Sequence, residues 1–464
     1  MIGVNDNKMY SNLLVFKFKN YELEYPDSIK EILSFSTNLG EFKELETINT
    51  LGKTEYKKIY IVGLGTTEEF NSVKLFKALG NAIRSIKDTV SDLDILDNLN
   101  EDFGYTIVQS LYLSQYKYNG IKQEEKKVKL QHINLISKYK ESISKGLIIG
   151  NSINFARDLA NMPSNHVTPK YLANQCENIA KEDNLDIKIL DKYTLEQLGM
   201  GGILSVSKGS IRSPRLIVMQ YFGNPDDKNI TALIGKGVTF DSGGISLKPS
   251  KGMEKMISDM EGAAAVIAVT KAIGKLKPKK NIITLIPTVE NMPSGTAYKP
   301  GDVITSYSGK TIEVISTDAE GRLILCDSIT YAKELGATTI IDVATLTGAC
   351  ANFLGGINIG LSSNSDELSE QLINIGSSVG ENFWRLPNNP EYIEQLKTNN
   401  ADIKNTGNNS GAIVAGLFLQ SFAEDTAFAH LDIAGSSGFT SPTEAYDVGA
   451  NGYPARTLIE YLLT

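Results

Sequence analysis

The stretch "NITALIGKGVTF" (residues 229–240) is a run of apolar residues long enough for a strand that is buried on both faces. Two later stretches, "KNIITLIPTV" (280–289) and "ATTIIDVATL" (337–346), have the same character. Strands of this kind lie at the centre of a sheet that helices cover on both sides, and helix-like segments alternate with them. The sequence therefore predicts an α/β domain with these three stretches at the centre of its sheet.

A second, smaller α/β domain is expected at the N-terminus. There the strand-like "KKIYIVGLG" (57–65) is followed by "SVKLFKALGNAIRSIK" (72–87), whose apolar residues recur at helical spacing. A chain of 464 residues also exceeds the roughly 250 to 300 residues at which one core stops growing. The "GLG" does not complete a dinucleotide-binding motif, because Glu68 stands where the third glycine is needed, so we expect a tight turn.

The connection between the two domains is predicted from a change in composition. The segment from about residue 114 to 145 is polar and carries the charge cluster "QEEKKVK", and a helix with the sequence "GLIIGNSINFARDLANMPSN" follows it. Pro163 and Pro169 would end that helix and begin the next segment. We therefore predict an N-terminal domain over residues 1–145, a connecting helix over 146–162, and a larger C-terminal domain over 163–464. Its central sheet would be mixed and flanked by helices.

Composition and charge disfavour several classes of function. The net charge of −8 argues against a nucleic-acid-binding surface over the whole molecule. The first twenty residues lack a basic segment followed by an uninterrupted apolar run, and the apolar stretch 340–359 is broken by Asp342 and Asn352. We expect a cytoplasmic protein with no membrane association.

Cysteine and histidine are too few to build a familiar metal site. The three cysteines, Cys176, Cys326 and Cys350, are scattered without a CxxC pair and are expected to be buried small side chains. Only three histidines occur in the chain. Any metal would therefore be held mostly by carboxylates.

The stretch "LIGKGVTFDSGGISLKPS" (233–250) places Lys236 at the apolar end of a buried strand, Asp241 in a glycine-rich turn, and Lys248 beyond it. A desolvated lysine loses its proton readily, and the neutral amine can then ligate a metal. The alternative is a strand-end lysine whose ammonium reaches water.

A second acidic position is Asp259, within "GMEKMISDMEGAAAVIAVTKAIGKL" (252–276), which we predict as one helix. Asp259 would lie about 60° from the centre of its apolar stripe, so its carboxylate must be paired, hydrogen-bonded or bound to a cation. The alternative is an aspartate at the helix edge that is held by a neighbouring lysine.

The stretch "STDAEGR" (316–322) adds Asp318 and Glu320. On an extended backbone, residues two apart share a face, so these two carboxylates would repel each other unless a cation lay between them. That cation could be Arg322 or a metal. An acidic turn with a local salt bridge to Arg322 is the alternative.

Several phrases resemble, in order and spacing, the signature blocks of the cytosol leucine aminopeptidase family, which are hexameric two-metal enzymes. They are "GKGVTFDSGGISLKPS" (235–250), "MISDMEGAAAV" (256–266) and "STDAEGRL" (316–323), with "DLANMPSNHVTP" (158–169) and "AHLDIAG" (429–435) as further matches. The resemblance covers about residue 146 to the C-terminus and makes the C-terminal domain the catalytic one. It implies removal of the N-terminal residue, leucine or another apolar one, from peptides.

The resemblance also implies the roles of individual residues. One metal would be bound by Lys236, Asp241, Asp259 and Glu320, and the second by Asp241, Asp318 and Glu320. Zinc and manganese are the expected ions, with magnesium as a further candidate. Arg322 would hold a bicarbonate that acts as general base, and Lys248 would stabilise the oxyanion. The side chain of the first residue would enter a pocket at Met256, Thr345 and Gly348, with the backbone of Leu346 positioning the substrate.

Four positions depart from the family pattern, namely Ser316, Glu261, Phe428 and Pro454, and none of them removes a metal ligand. Ser316 and Glu261 could alter hydrogen bonding and charge near the metals, and thereby the metal preference. Two other functions stay open. One is an additional DNA-binding regulatory role, which the acidic balance disfavours, and the other is a two-metal hydrolase of phosphoesters. A homohexamer is expected from the resemblance alone.

Overall fold

The computed structural model describes residues 2–5, 10–123 and 128–464. The chain divides into two units, one of residues 1–154 with 439–448 and the other of residues 155–438 with 449–464. Within the charge cluster "QEEKKVK", residues 124–127 lie outside the described ranges. The helix that follows spans Lys140–Asn161 and ends before Pro163. Proline at 163 and 169 has the predicted effect, since the next helix begins at Pro169.

The described part of the first unit contains a six-stranded sheet in the order β1-β6-β5-β2-β4-β3. All neighbouring strands are parallel except β3 and β4. The strands are β1 Ile2–Val4, β2 Asn12–Lys17, β3 Leu45–Asn49, β4 Lys58–Gly63, β5 Asp92–Leu96 and β6 His132–Ile136. The helices are α1 Asp27–Leu33, α2 Ser72–Ile86 and α3 Gly104–Gln115, and α4 Lys140–Asn161 begins in this unit and ends in the second.

Strand β2 shows how the first unit forms its core. Its side chains alternate between two apolar clusters, with Leu14 and Phe16 in one and Leu13 and Val15 in the other. Successive residues of a strand point to opposite faces, so both faces of this sheet are covered. The predicted strand and helix at 57–65 and 72–87 correspond to β4 and α2, and the "GLG" between them is a turn in which Gly65 has a φ of 81°.

The second unit is built on a larger mixed sheet. In the described residues its path is β16-β15-β18-β14-β9-β11-β8-β7, with β10 beside β11. Strands β18, β14, β9 and β11 are parallel to one another. Strand β8 is antiparallel to both of its neighbours, whereas β15 is antiparallel to β18 and parallel to β16. The strands of this sheet are β7 Asp186–Leu190, β8 Arg215–Phe222, β9 Ile230–Gly235, β10 Gly237–Asp241, β11 Asn281–Asn291, β14 Thr339–Ala344, β15 Asn358–Ser363, β16 Asn382–Arg385 and β18 Ala427–Asp432. A separate three-stranded sheet consists of β12 Val303–Thr305, β13 Thr311–Glu313 and β17 Ile403–Lys404, and a two-stranded one of β19 Gly438–Phe439 and β20 Gly449–Ala450.

The helices of the rest of the chain run between these strands. They are α5 Pro169–Asp183, α6 Lys192–Leu198, α7 Gly201–Ser207, α8 Glu261–Leu276, α9 Gly321–Glu334, α10 Gly348–Leu354, α11 Asp366–Val379, α12 Gly411–Ala423 and α13 Ala455–Leu463, with 3-10 helices at Met253–Ser258 and Pro390–Leu396. The mixed α/β architecture predicted from the sequence is confirmed.

The three apolar stretches do form the centre of the sheet, as β9, β11 and β14. One detail of that prediction is wrong, because residues 229–240 form two strands and not one. The backbone turns at Lys236, whose N–H donates to the carbonyl of Val343 and whose carbonyl accepts from the N–H of Ala263. Strand β10 then continues beside β11. The break leaves Lys236 between two strands.

The single helix predicted over residues 252–276 is also interrupted. A 3-10 helix ends at Ser258, and α8 begins at Glu261. Between them Asp259 and Met260 have ψ angles near 11° and 10°, outside the α-helical region. The interruption takes Asp259 out of the helical repeat and puts it beside the end of β9.

All three cysteines are free and buried, as the sequence predicts. Within the described residues, which are 2–5, 10–123 and 128–464, no helix has both the length and the hydropathy needed to cross a bilayer.

The first unit contains an ion cluster that should contribute measurably to stability. Asp447 accepts from the Nζ of Lys87 at 2.8 Å and from the Nε of Arg84 at 3.1 Å, and Lys87 also donates to the carbonyl of Ser114. Burial would raise the pKa of Asp447, but the two cations lower it below the usual value. The stabilisation is therefore present above the unfolded pKa of about 3.9 and is lost as the pH falls through the lower folded value.

We expect Asp447→Asn to destabilise the protein by about 1–3 kcal/mol at pH 7, since it weakens hydrogen bonds to a buried ammonium. Calorimetric melting of the full chain at several pH values would measure this. The difference from wild type should shrink below pH 4. Asp88→Asn, at an exposed position of the same unit, is the control. An unchanged melting temperature at pH 7 would contradict the prediction.

Candidate metal centre

The candidate site lies at the carboxyl-terminal edge of the parallel strands of the second unit. Lys236 follows β9, Thr345 follows β14, and Asn291 and Asp241 are the last residues of β11 and β10. In open α/β sheets this edge is where ligands bind, because the loops that leave parallel strands meet there. The parallel order of these strands thus gathers side chains that are about 50 to 110 residues apart in the chain.

Lys236 is the centre of the first half of the site. Its side chain is buried, and its Nζ lies 2.8 Å from Oδ1 of Asp259, 2.9 Å from Oε1 of Glu320 and 2.8 Å from the carbonyl oxygen of Thr345. Thr345 also donates its hydroxyl to the same Asp259 oxygen at 2.8 Å. The alternative of a lysine that reaches water is therefore wrong, since Lys236 is only 2% exposed.

Lys248 organises the second half of the site. Its Nζ lies 2.8 Å from Oδ2 of Asp241 and 2.5 Å from Oδ1 of Asp318. The other oxygen of Asp241 accepts from the amide of Asn291 and from the backbone N–H of Gly243, each at 2.8 Å. Asp241 is thereby fixed between strand, loop and lysine.

The expectation that Asp318 and Glu320 share a face of an extended segment is wrong. Residues 317 and 318 form a turn, and Glu320 already has helical backbone angles at the start of α9. The two carboxylates consequently reach different lysines, Asp318 to Lys248 and Glu320 to Lys236. Arg322 donates instead to the carbonyl of Asn405 at 2.8 Å.

The carboxylates suit a cation. Asp241, Asp259 and Glu320, which are all buried, each offer an oxygen, and these oxygens lie within 4.8 Å of one another. In the described part of the chain, Oδ2 of Asp259 and Oε2 of Glu320 are buried and accept no hydrogen bond. Unpaired buried carboxylate oxygens are costly, and hard oxygen donors of this kind are the ligands that divalent cations prefer. Asp318 does not belong to this group, but its carboxylate and that of Asp241 both contact the ammonium of Lys248.

The electrostatics of the cluster tie cation binding to protons. Burial would lower the pKa of Lys236, but Asp259, Glu320 and Asp241 raise it above its usual range. Burial raises the pKa of Asp241 and of Asp259. Burial would also raise the pKa of Glu320, but Lys236 lowers it below the usual value. Lys236 could act as a neutral amine ligand only after losing its proton, because a ligating nitrogen needs a free electron pair.

The remaining predicted residues lie around this cluster. Arg322 is buried at the start of α9, where burial lowers the pKa of its guanidinium to about 10. Met256 belongs to the 3-10 helix before Asp259, and its carbonyl accepts from the Asp259 N–H. The N–H of Leu346 donates to Asp432, and Gly348 begins α10 with open space where a Cβ would stand.

Two residues that departed from the family pattern have definite partners. The hydroxyl of Ser316 accepts from the N–H of Asp318 at 3.2 Å. Glu261 is buried at the first turn of α8, where burial raises the pKa of its carboxyl to about 8 and a hydrogen bond with Ser437 opposes that shift. Both therefore lie near the metal-ligand candidates without replacing one.

Sequence reasoning missed two asparagines that hold the site. Asn291 donates to Asp241 and to the carbonyl of Thr317, and Asn405 accepts from the N–H groups of Ile315 and Ser316. Asn291 ends an apolar strand, which is a signal that could have been noticed. Asn405 lies in a polar segment with no pattern to mark it.

The sequence matches two family models, the cytosol aminopeptidase family catalytic domain over residues 154–459 and the N-terminal domain of the same family over residues 1–125. The chain belongs to the cytosol aminopeptidase family. It is therefore a metal-dependent aminopeptidase, and this assignment favours peptide over phosphoester hydrolysis. A probable cytosol aminopeptidase of Alkaliphilus oremlandii is 41% identical over 458 residues, covering 95% of this chain and 92% of that protein. A further relative with the same description, from Geotalea uraniireducens, is 41% identical over 438 residues, covering 91% and 88%.

A solved structure has the same fold over nearly the whole length of this chain. The bottromycin maturation enzyme BotP in complex with Mn has a TM-score of 0.88 and 29% identity, and the match covers 98% of this chain and 99% of that one.

Gly321 provides a test of the cluster around Lys236. A Cβ at this position would lie 2.6 Å from Cε and 2.8 Å from Nζ of Lys236. We expect Gly321→Ala to displace the lysine and to weaken Mn²⁺ binding about tenfold or more, while the fold survives because a flexible side chain can move. Calorimetric titration would measure the affinity. Gly295→Ala, where a Cβ would meet nothing within 4 Å, is the control. Equal affinities in the two variants would contradict the prediction.

Proposed function

We propose that this chain removes an N-terminal leucine or other apolar residue from peptides and that it uses two divalent cations to do so. The proposal depends chiefly on one observation, the buried group of Asp241, Asp259 and Glu320 with two oxygens that accept no hydrogen bond among the described residues. Such a group needs cations to offset its negative charge. The aminopeptidase family supplies the reaction to which those cations belong.

The proposed ligands form two overlapping sets. Asp241 and Glu320 are common to both, Lys236 and Asp259 complete one set, and Asp318 completes the other. Bound there, two divalent cations would lower the pKa of a water molecule and polarise the carbonyl group of the scissile peptide bond. Asn291 and Gly243 keep Asp241 oriented, and Thr345 orients Asp259, so that the ligand geometry is fixed in advance.

We assign the charged residues beside the ligands to the reacting groups. Lys248 pairs with Asp241 and Asp318, and neutralisation of those carboxylates by cations would free its ammonium to donate to the oxyanion of the tetrahedral intermediate. Arg322 is a buried guanidinium whose Nε–H donates to no acceptor in the described residues, which suits a small anion. We propose that it holds a bicarbonate that serves as general base, since no histidine belongs to the cluster.

The side chain of the first residue would lie against Met256, Thr345 and Gly348. Met256 is apolar and adaptable, and the open space beside Gly348 leaves room for a medium-sized side chain. The backbone N–H of Leu346, held now by Asp432, marks the segment that would position the substrate. Leucine and methionine suit such a pocket.

We also propose zinc or manganese as the working ions, a cytosolic location, and assembly as a homohexamer. Manganese is supported by the Mn in the complex of the structurally similar BotP. The location is supported by the description of the relatives as cytosol aminopeptidases.

Hydrolysis of leucine p-nitroanilide by the purified protein tests the central proposal. We expect activity that is lost on chelation, is restored by Mn²⁺ or Zn²⁺, and is absent with an amino-blocked substrate. Asp259→Asn should lower kcat/KM roughly 100-fold or more, because it removes a ligand charge at nearly constant shape. Asp425→Asn, at an exposed position, is the control. Undiminished turnover after complete removal of metal would contradict the proposal.

The role of Arg322 is tested by adding bicarbonate to a buffer depleted of it. Wild-type activity should rise to a plateau, and the rise should disappear in Arg322→Met, whereas Arg322→Lys should keep part of it because the charge remains. Each variant is compared with itself before and after the addition, so differences in folded fraction cancel. The same fold-stimulation in all three proteins would refute the assignment.

The oligomer is tested by sedimentation equilibrium at several protein concentrations. We expect a mass close to six chains, and a mass close to one chain would overturn the hexamer.

A further inference from the structure

The first unit has a cavity of about 600 Å³ at the carboxyl edge of its own sheet. Loops that follow three parallel strands, β2, β4 and β5, form it. Its lining includes Phe18, Tyr21, Phe70, Asn71, Asn100 and Glu101. The volume is within the range of sites for small molecules. None of these residues belongs to the metal centre.

The order of the strands explains why a cavity lies at this edge of the sheet. Strand β2 lies between β5 and β4 and is parallel to both. The chain leaves β2 toward the side of β4 and β3, whereas it leaves β5 in the opposite direction, toward β6. Two neighbouring parallel strands whose connections diverge open a crevice at their carboxyl ends, and open α/β sheets bind ligands in that crevice.

Aromatic rings form one wall of the cavity. Phe70 packs edge-to-face against Phe18 and Phe103, with ring centroids 4.9 Å and 5.1 Å apart. The ring centroids of Tyr21 and Phe18 are 6.3 Å apart. Tyr21 is 47% exposed, and its hydroxyl accepts from the amide of Asn100 at 3.2 Å. The rings hold one another in place, so the wall offers a preformed surface on which a planar ring can stack.

The charge of the lining selects the chemistry of the ligand. Among the described residues that line the cavity, Glu101 is the one charged side chain. No lysine or arginine is present in that lining to balance a phosphate. A carboxylate accepts two parallel N–H bonds, and guanine is the nucleobase that presents two adjacent N–H donors, at N1 and N2, on one edge.

We propose that this cavity binds an unphosphorylated guanine nucleoside. Its ring stacks on the aromatic wall beside Tyr21, and the carboxylate of Glu101 accepts from N1–H and the 2-amino group. The glycines of "GLG" take no part as a phosphate loop. A Cβ on Gly63 would lie 2.0 Å from the carbonyl oxygen of Glu41, so glycine at that position serves packing.

Calorimetric titration of the full-length protein with guanosine tests the proposal. We expect saturable binding that weakens about tenfold in Glu101→Gln, which keeps the shape but loses the charge, and about tenfold in Tyr21→Ala. Inosine, which lacks the 2-amino group, should bind more weakly than guanosine to the wild type. Glu55→Gln, an exposed position before the amino end of β4, is the matched control and should bind like the wild type. Leucine anilide turnover should be unchanged in all variants, which verifies that they fold.

Three outcomes would overturn the proposal. The first is no saturable heat with millimolar guanosine. The second is equal affinity in wild type and Glu101→Gln. The third is tighter binding of guanosine monophosphate than of guanosine, because that would indicate a phosphate site that this lining does not provide.

Discussion

The candidate catalytic site depends on a buried ammonium group, that of Lys236. It touches the carboxylates of Asp259 and Glu320, and each of these groups would be prohibitively costly to bury alone. Breaking a buried pair of this kind costs about 3–5 kcal/mol, so the three side chains constrain one another strongly. Three breaks in regular structure bring these side chains together. Lys236 lies between β9 and β10, Asp259 directly follows the 3-10 helix, and Glu320 directly precedes α9.

The same cluster holds more carboxylate than the two lysines neutralise. Two lysines, Lys236 and Lys248, face four carboxylates, those of Asp241, Asp259, Asp318 and Glu320. Burial raises the pKa of Asp241 and Asp259, because removal from water disfavours the ionised form of a carboxyl group. Cations and protons therefore compete for one set of oxygens. The excess of carboxylates favours binding of divalent ions, and the affinity for these ions should rise with pH as the carboxyl groups lose their protons.

Histidine has a different role here from the one it usually has in metalloenzymes. His430 is paired through Nδ1 with Asp342 at 2.7 Å, and the two residues are register partners on β18 and β14. Both are fully buried, within the sheet and behind the edge where the carboxylates gather. Their contact links two central strands. The sequence expectation that a metal would rely on carboxylates agrees with this arrangement.

Apolar runs were sufficient to predict the α/β class and the three central strands, because burial and periodicity are local properties of the chain. The candidate carboxylates were instead picked out by the resemblance of their motifs to a family. Local reasoning failed where a distant partner decides the conformation. Residues 229–240 divide at Lys236 because Val343 and Ala263 take its backbone hydrogen bonds, and Asp318 turns toward Lys248, 70 residues earlier. Asn405 is placed by hydrogen bonds to Ile315 and Ser316, about 90 residues away. Such contacts exist only after strands have taken their order in the sheet, so tertiary structure alone determines them.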